Sequence, residues 1–403
     1  MRTARRWSTR TLCAAAGLVA AIALHGYAFA GEPEKPPGDK PFCQVWDEEI
    51  PLCTLTVAKD GSVLLFKGKG RSRRSPADSG STPWLKRSED GGKTWSEEYK
   101  VGDPVRVEGN MSDAGRKGDP KATFGMSHLG SVVVDEVSGD ITVFAVGGKK
   151  SSEYVYRSRD HGKTWKLEKI SIRPDKNGWI AHPNSACDPG VTLKYGKKKG
   201  RLLVPTRVNV EYLGKGKGRK NYGKHYAATW YSDDRGKTWL PSAPFPLGGT
   251  GESGLVELRD GTIYHNSRTH FRGGNRRIAY SHDGGETWVD EHEDDELFDG
   301  PPDVYGCKAA LIRLPYDDRD VLVFSSPGRR DKRWDITVWV SFDGGETWPV
   351  KQLVKEGPGN YTWLAAGRKG TPSEGMIYLA AGKDWMARFN LAWIMENSKQ
   401  EKK

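Results

Sequence analysis

The chain has 403 residues, with 63 basic and 52 acidic side chains and a formal charge of +11. The basic residues cluster as Lys197-Lys198-Lys199 and as Lys215, Lys217, Arg219 and Lys220 alternating with glycine, which reads as solvated loop. Neither the aromatic interleaving of a nucleic-acid surface nor an amphipathic helix for a membrane surface is apparent, so no nucleic acid and no stable membrane insertion are expected.

Residues 1–30 read as a secretory signal peptide. Arg2, Arg5, Arg6 and Arg10 precede the apolar run Leu12–Leu24, and Ala28-Phe29-Ala30 is an A-x-A cleavage signal. Export to the periplasm or medium follows, with cleavage near Ala30. Removing those four arginines lowers the formal charge to +7. Residues 31–44 are Pro-rich and charged at their start and read as a flexible leader. Four cysteines remain, Cys43, Cys53, Cys187 and Cys307, at spacings that fit no zinc site. An exported chain permits disulfides, and Cys43 with Cys53 is one conceivable pair.

The motif S-x-D-x-G-x-T-W then occurs five times: Ser88–Trp95, Ser158–Trp165, Ser232–Trp239, Ser281–Trp288 and Ser341–Trp348. The tryptophans are 70, 74, 49 and 60 residues apart, and each copy follows an alternating apolar run such as Ile336-Thr337-Val338-Trp339-Val340. Each reads as a loop between two strands. The Asp accepts bonds from the loop's own N–H groups, the Gly supplies positive φ, and the Trp packs the loop onto its sheet. Five such turns at blade-like spacing predict an all-β fold, a six-bladed β-propeller with five Asp-box hairpins over residues 45–398. The boxes are expected to staple hairpins on the outer rim. The sixth blade is expected to combine strands near Met376–Ala381 and Ala387–Trp393 with an N-terminal strand near Leu55–Leu65, which removes the open edges.

The chemistry-bearing stretch is Gly251–Arg268. Leu255–Leu258 and Thr262–Tyr264 flank an Asp260-Gly261 turn, a hairpin signal. Glu252 before the first strand and Arg268 after the second lie at the same end of that hairpin. A carboxylate beside a planar cation suggests a site for an anionic substrate, although a solvated surface pair has the same signature. Arg333 precedes the strand leading to the fifth Asp-box, and Tyr361 follows a Gly/Pro turn at the start of Thr362–Ala365.

With these residues in place the chain resembles the exo-α-sialidase (neuraminidase) superfamily in its secreted bacterial, single-propeller form. The resemblance covers nearly all of the mature chain. It rests on the Asp-boxes, on Gly251–Arg268 (with Gly251 where the family has Asn), on Phe324-Ser325-Ser326-Pro327 followed by Arg333, on Tyr361-Thr362-Trp363-Leu364, and on Lys199–Pro205. It implies a retaining glycoside hydrolase that removes a terminal sialic acid or related acidic sugar from glycoconjugates. Tyr361 would be the nucleophile, Glu252 its base, Asp78 the general acid, and Arg268 and Arg333 the clamp on the sugar carboxylate. A neutral phenol avoids driving a carboxylate against the charge on the anomeric carbon. No cofactor or metal is implied, and a monomer is expected. The chain departs from the family where the first clamp arginine belongs, with Pro51 or Glu49 in its place. That leaves open a different acidic sugar, or a non-catalytic propeller that binds glycans or proteins.

Overall fold

A computed structural model describes residues 40–47, 52–69, 82–103, 105–106, 123–124, 132–144, 154–174, 188–209, 225–270, 273–300, 306–382 and 385–398. The signal segment, Asp78, Glu49, Pro51 and Cys187 lie outside them. The fold is a six-bladed β-propeller, each blade a sheet of four or five strands, and the innermost strands pack on one another in ring order.

Blade one holds Leu52–Val57, Val63–Lys69, Thr82–Ser88 and Tyr99–Lys100. Blade two holds Val132–Val134, Ile141–Phe144, Tyr154–Ser158 and Lys166–Lys169. Blade three holds Val191–Thr192, Leu202–Asn209, His225–Ser232 and Thr238–Pro241, with Ser171–Ile172 added in parallel at its outer edge. Blade four holds Thr250–Glu257, Ile263–Thr269, Asn275–Ser281 and Val289–Phe298. Blade five holds Ala310–Arg313, Leu322–Pro327, Trp334–Ser341 and Val350–Pro358.

The sixth blade differs from the expectation in two ways. Its innermost strand is Thr362–Ala366, and the strand that closes it from the N-terminus is Cys43–Asp47, paired antiparallel with Trp385–Asn390. The Leu55–Leu65 region instead makes the first hairpin of blade one. The propeller therefore begins ahead of residue 45, inside the segment read as leader. The strand expected to run to Trp393 stops at Asn390, where a helix, Leu391–Ser398, takes over. Asn390 is the reason. Its Oδ1 caps the helix by accepting the Trp393 N–H at 2.9 Å and also takes the Phe42 N–H at 3.1 Å, while its Nδ2 donates to the Lys40 carbonyl at 2.7 Å. Cys43 carries a free thiol, and the side chain of Cys53, its conceivable partner, lies outside the described residues.

Strand alternation distributes the core. Val132 and Val134 pack toward blade one and Val133 toward blade three; Leu202 and Val204 pack toward blade two and Leu203 toward blade four. Each blade thus buries both faces, and one apolar cluster fills each of the six blade–blade interfaces. In every Asp-box the Ser hydroxyl donates to the Asp carboxylate at 2.7–2.9 Å and accepts the N–H of the positive-φ Gly at 2.7–2.8 Å. The carboxylate also takes the Thr N–H at 2.8–3.0 Å. Burial opposes ionisation of Asp90, but the donors of Thr94, Ser88 and Lys93 outweigh it and hold the carboxyl down to about 2. Their own loops occupy these carboxylates.

Candidate active site

Strand direction alternates across a blade. The starts of first and third strands and the ends of second strands therefore share one mouth of the ring. Glu252 is near the start of the first strand of blade four, Arg268 near the end of its second, Arg333 before the third strand of blade five, and Tyr361 before the first strand of blade six. All four meet at that mouth. The Asp-boxes follow the third strands and lie at the opposite one.

A β-bulge aims Glu252. Thr250 pairs with Thr269 and Ser253 with Ser267, so Gly251 and Glu252 together face Arg268. Tyr361 completes a triangle. Arg268 Nη1 donates to Tyr361 Oη at 3.0 Å, Tyr361 Oη donates to Glu252 Oε1 at 3.1 Å, and Arg268 is ion-paired with Glu252 Oε2. Glu252 and Arg268 are 9% and 6% exposed, so this is a buried pair and not the solvated one its sequence also allowed. Burial opposes the charge on Arg268, but Glu252 beside it outweighs that and raises the guanidinium above its ordinary value. Burial pushes the Tyr361 phenol up to about 12, with the Glu252 carboxylate adding to the rise and Arg268 offsetting part of it. The phenol is neutral at any physiological pH.

Arg333 also lies over the Tyr361 ring, its guanidinium carbon 5.7 Å from the centroid against 5.9 Å for Arg268. Its Nη1 donates to Asn360 Oδ1 at 3.2 Å and its Nη2 to the Gly306 carbonyl at 3.0 Å. The rest of its basic loop turns elsewhere. Arg329 pairs with Asp331, Arg330 lies over Phe298, and Lys332 lies over Trp334.

Three supporting groups were not singled out from the sequence: His270, Asn360 and the Gly306 carbonyl. His270 Nε2 accepts from Arg268 Nη2 at 3.1 Å, which requires the Nδ1–H tautomer that donates to the Gly249 carbonyl at 3.0 Å. Burial, then the Arg268 charge, brings this imidazole down to about 3, so it remains a neutral acceptor. Its signal was its place two residues past Arg268, on the same face of the chain. His270 also explains Gly251. A Cβ there would meet His270 Cε1 at 2.8 Å, so any larger residue at 251 has to displace the imidazole.

Residues 84–378 match the model of the BNR repeat-like domain. The chain belongs to the BNR-repeat sialidase superfamily. Among curated members of the superfamily it is 31% identical to a sialidase of Micromonospora viridifaciens over 98% of this chain and 61% of that protein. It is 27% identical to a sialidase of Bacteroides fragilis over 73% of this chain and 53% of that protein. It therefore spans little more than half the length of these two sialidases. The solved structure of the Hadza microbial sialidase Hz136 superposes with a TM-score of 0.61 at 23% identity, over 86% of this chain and 66% of that one. Such a likeness identifies the propeller and leaves the chemistry to be argued from the site.

Proposed function

We propose that the protein is an exported, monomeric, exo-acting glycoside hydrolase that removes a terminal sialic acid from glycoconjugates with retention of configuration. The observation that carries the reading is the triangle of Tyr361, Glu252 and Arg268, with Arg333 also over the Tyr361 ring. Arg268 and Arg333 grip the sugar carboxylate, which places the anomeric carbon over Tyr361 Oη. With its pKa near 12 the phenol has to lose its proton as it attacks, and Glu252 Oε1 is the acceptor already in hydrogen-bond contact. The Tyr–sugar bond forms as the bond to the leaving oxygen breaks. A general acid protonates that oxygen, the role assigned to Asp78. Water then attacks the glycosyl-tyrosine, its proton passes to the acid group, and Glu252 returns a proton to Tyr361. A pure binding propeller needs neither a buried Tyr–Glu couple nor its arginine partner.

The test is hydrolysis of an aryl α-sialoside followed by NMR. Release of the α anomer first supports the reading, and release of the β anomer first opposes it. Pro51 or Glu49 at the first clamp position favours one rival, a related acidic sugar as the substrate. Turnover of such a sugar without turnover of any sialoside would select it.

A further inference from the structure

Two arginines on different blades can grip one carboxylate only if their separation is fixed, because misplacement of about 1 Å costs on the order of a hundredfold in kcat/KM. One buried residue links the mounts of both. Asp299, just past the last strand of blade four, is 2% exposed. Its Oδ2 accepts the Thr269 N–H, the amide bonded to the Arg268 carbonyl, and the Thr269 hydroxyl at 3.2 Å. Its Oδ1 is paired with Arg276 Nη1 at 2.7 Å, and both side chains are 1% exposed. That holds the Arg268 side.

The Arg333 side is held by the same residue. The Asp299 carbonyl accepts the Cys307 N–H at 2.9 Å, and the Gly306 N–H donates to the Thr269 carbonyl at 3.2 Å. Gly306 in turn presents its own carbonyl to Arg333 Nη2 at 3.0 Å. Gly306 lies so close to the carboxylate that a Cβ there would meet Asp299 Oδ2 at 2.1 Å. Arg276 locks the assembly by donating from Nη1 to the Cys307 carbonyl at 2.9 Å and from Nε to Asn266 Oδ1 at 2.7 Å. No atom of this network belongs to the Tyr361–Glu252 hydrogen bond.

We propose that Asp299, with Arg276 as its counter-ion, is a positioning residue that sets the spacing of Arg268 and Arg333 and so governs the grip on the substrate carboxylate. The proposal rests on the reading of those two arginines as the clamp. Asn at position 299 would keep one acceptor oxygen for three donors, the Thr269 N–H and hydroxyl and Arg276, and would turn its own N–H donors toward part of them.

The experiment compares wild type, Asp299→Asn, Gly306→Ala and Arg333→Lys in the full chain. KM and kcat are measured on 4-methylumbelliferyl α-sialoside, and the Kd of 2-deoxy-2,3-didehydro-N-acetylneuraminic acid by calorimetry. Asp299→Asn is expected to raise KM and Kd at least tenfold while kcat stays within threefold. Gly306→Ala disturbs the other arm through its Cβ and is expected to show the same split, which carries the test if Asp299→Asn does not fold. Unchanged KM and Kd in the folded variants, or a fall in kcat at constant KM, overturns the positioning role. If Arg333→Lys also leaves KM and Kd unchanged, the clamp reading is what has failed. If Arg333→Lys raises them and the other two do not, only the role of Asp299 is lost.

Discussion

Replacing Glu252 with Gln separates its two roles. Among the described residues Glu252 is the one carboxylate ion-paired with Arg268, whose side chain is 7% exposed. Removing one partner of a buried pair costs about 3–5 kcal/mol. Tyr361 Oη and His270 Nε2 remain as acceptors for Arg268, so the lower end, about 3 kcal/mol, applies. In a fold of this size that is roughly 6 °C of melting temperature, taking about 2 °C per kcal/mol. The carboxylate of a bound sialic acid analogue supplies the missing charge, so the ligand should raise the melting temperature of the variant more than that of wild type. Loss of the proton acceptor should lower kcat by about 10²–10⁴, or roughly 3–5 kcal/mol of barrier. Thermal melts with and without ligand, and turnover of the aryl sialoside, read both effects. A variant that melts within a degree of wild type refutes the buried-charge argument, and one that retains kcat within tenfold refutes the base.

Acid should destabilise the fold. Burial, with Arg276 adding to it for His265 and Arg268 for His270, lowers both imidazoles to about 3. Their stabilisation is therefore complete above pH 6.5 and is lost as the pH falls toward 3, at about 1.4 kcal/mol per unit for each. Asp299, raised by burial to about 6 although Arg276 opposes it, works in the other direction between 3.8 and 6. Urea midpoints from pH 7 to pH 4 should fall, and His265→Phe should flatten the fall by about 1.4 kcal/mol per unit; a wild type equally stable at pH 7 and pH 4 contradicts the assignment. In the fourth Asp-box, Gly285→Ala places a Cβ 2.6 Å from Leu203 Cδ1 at a φ of +86°. It should cost about 2–4 kcal/mol in chemical denaturation and leave KM unchanged, because that box is at the opposite mouth. A shift in KM would show that the boxes reach the site.

What could be read from the chain was what the chain encodes locally. Each Asp-box closes within eight residues, so its Ser, Asp, Gly and Trp announce both the turn and the strand before it. Glu252 and Arg268 share one hairpin, and an Asp-Gly turn fixes that they end together. The closing strand was misplaced because Cys43–Asp47 finds its partner at Trp385–Asn390, and nothing in five residues of mixed polarity points so far along the chain. The bulge at Gly251-Glu252 was equally silent, since a register shift of one residue leaves no mark on the apolar pattern of Leu255–Leu258. Asp299 lay in an acidic stretch, Glu291–Asp299, in which the sequence does not tell the two buried acids, Asp294 and Asp299, from their more exposed neighbours.

The central claim is that Tyr361 is the nucleophile, activated by Glu252 and held beside the two arginines. The most direct measurement is incubation of the mature protein with a 2,3-difluoro-sialic acid, followed by intact mass and peptide mapping. The fluorine beside the anomeric carbon slows hydrolysis of the intermediate, so the mass should rise by one fluorosialyl group. The modified peptide should carry it on Tyr361, and Tyr361→Phe should abolish it. An adduct on another residue, or none from a protein that turns over sialosides, would contradict the account.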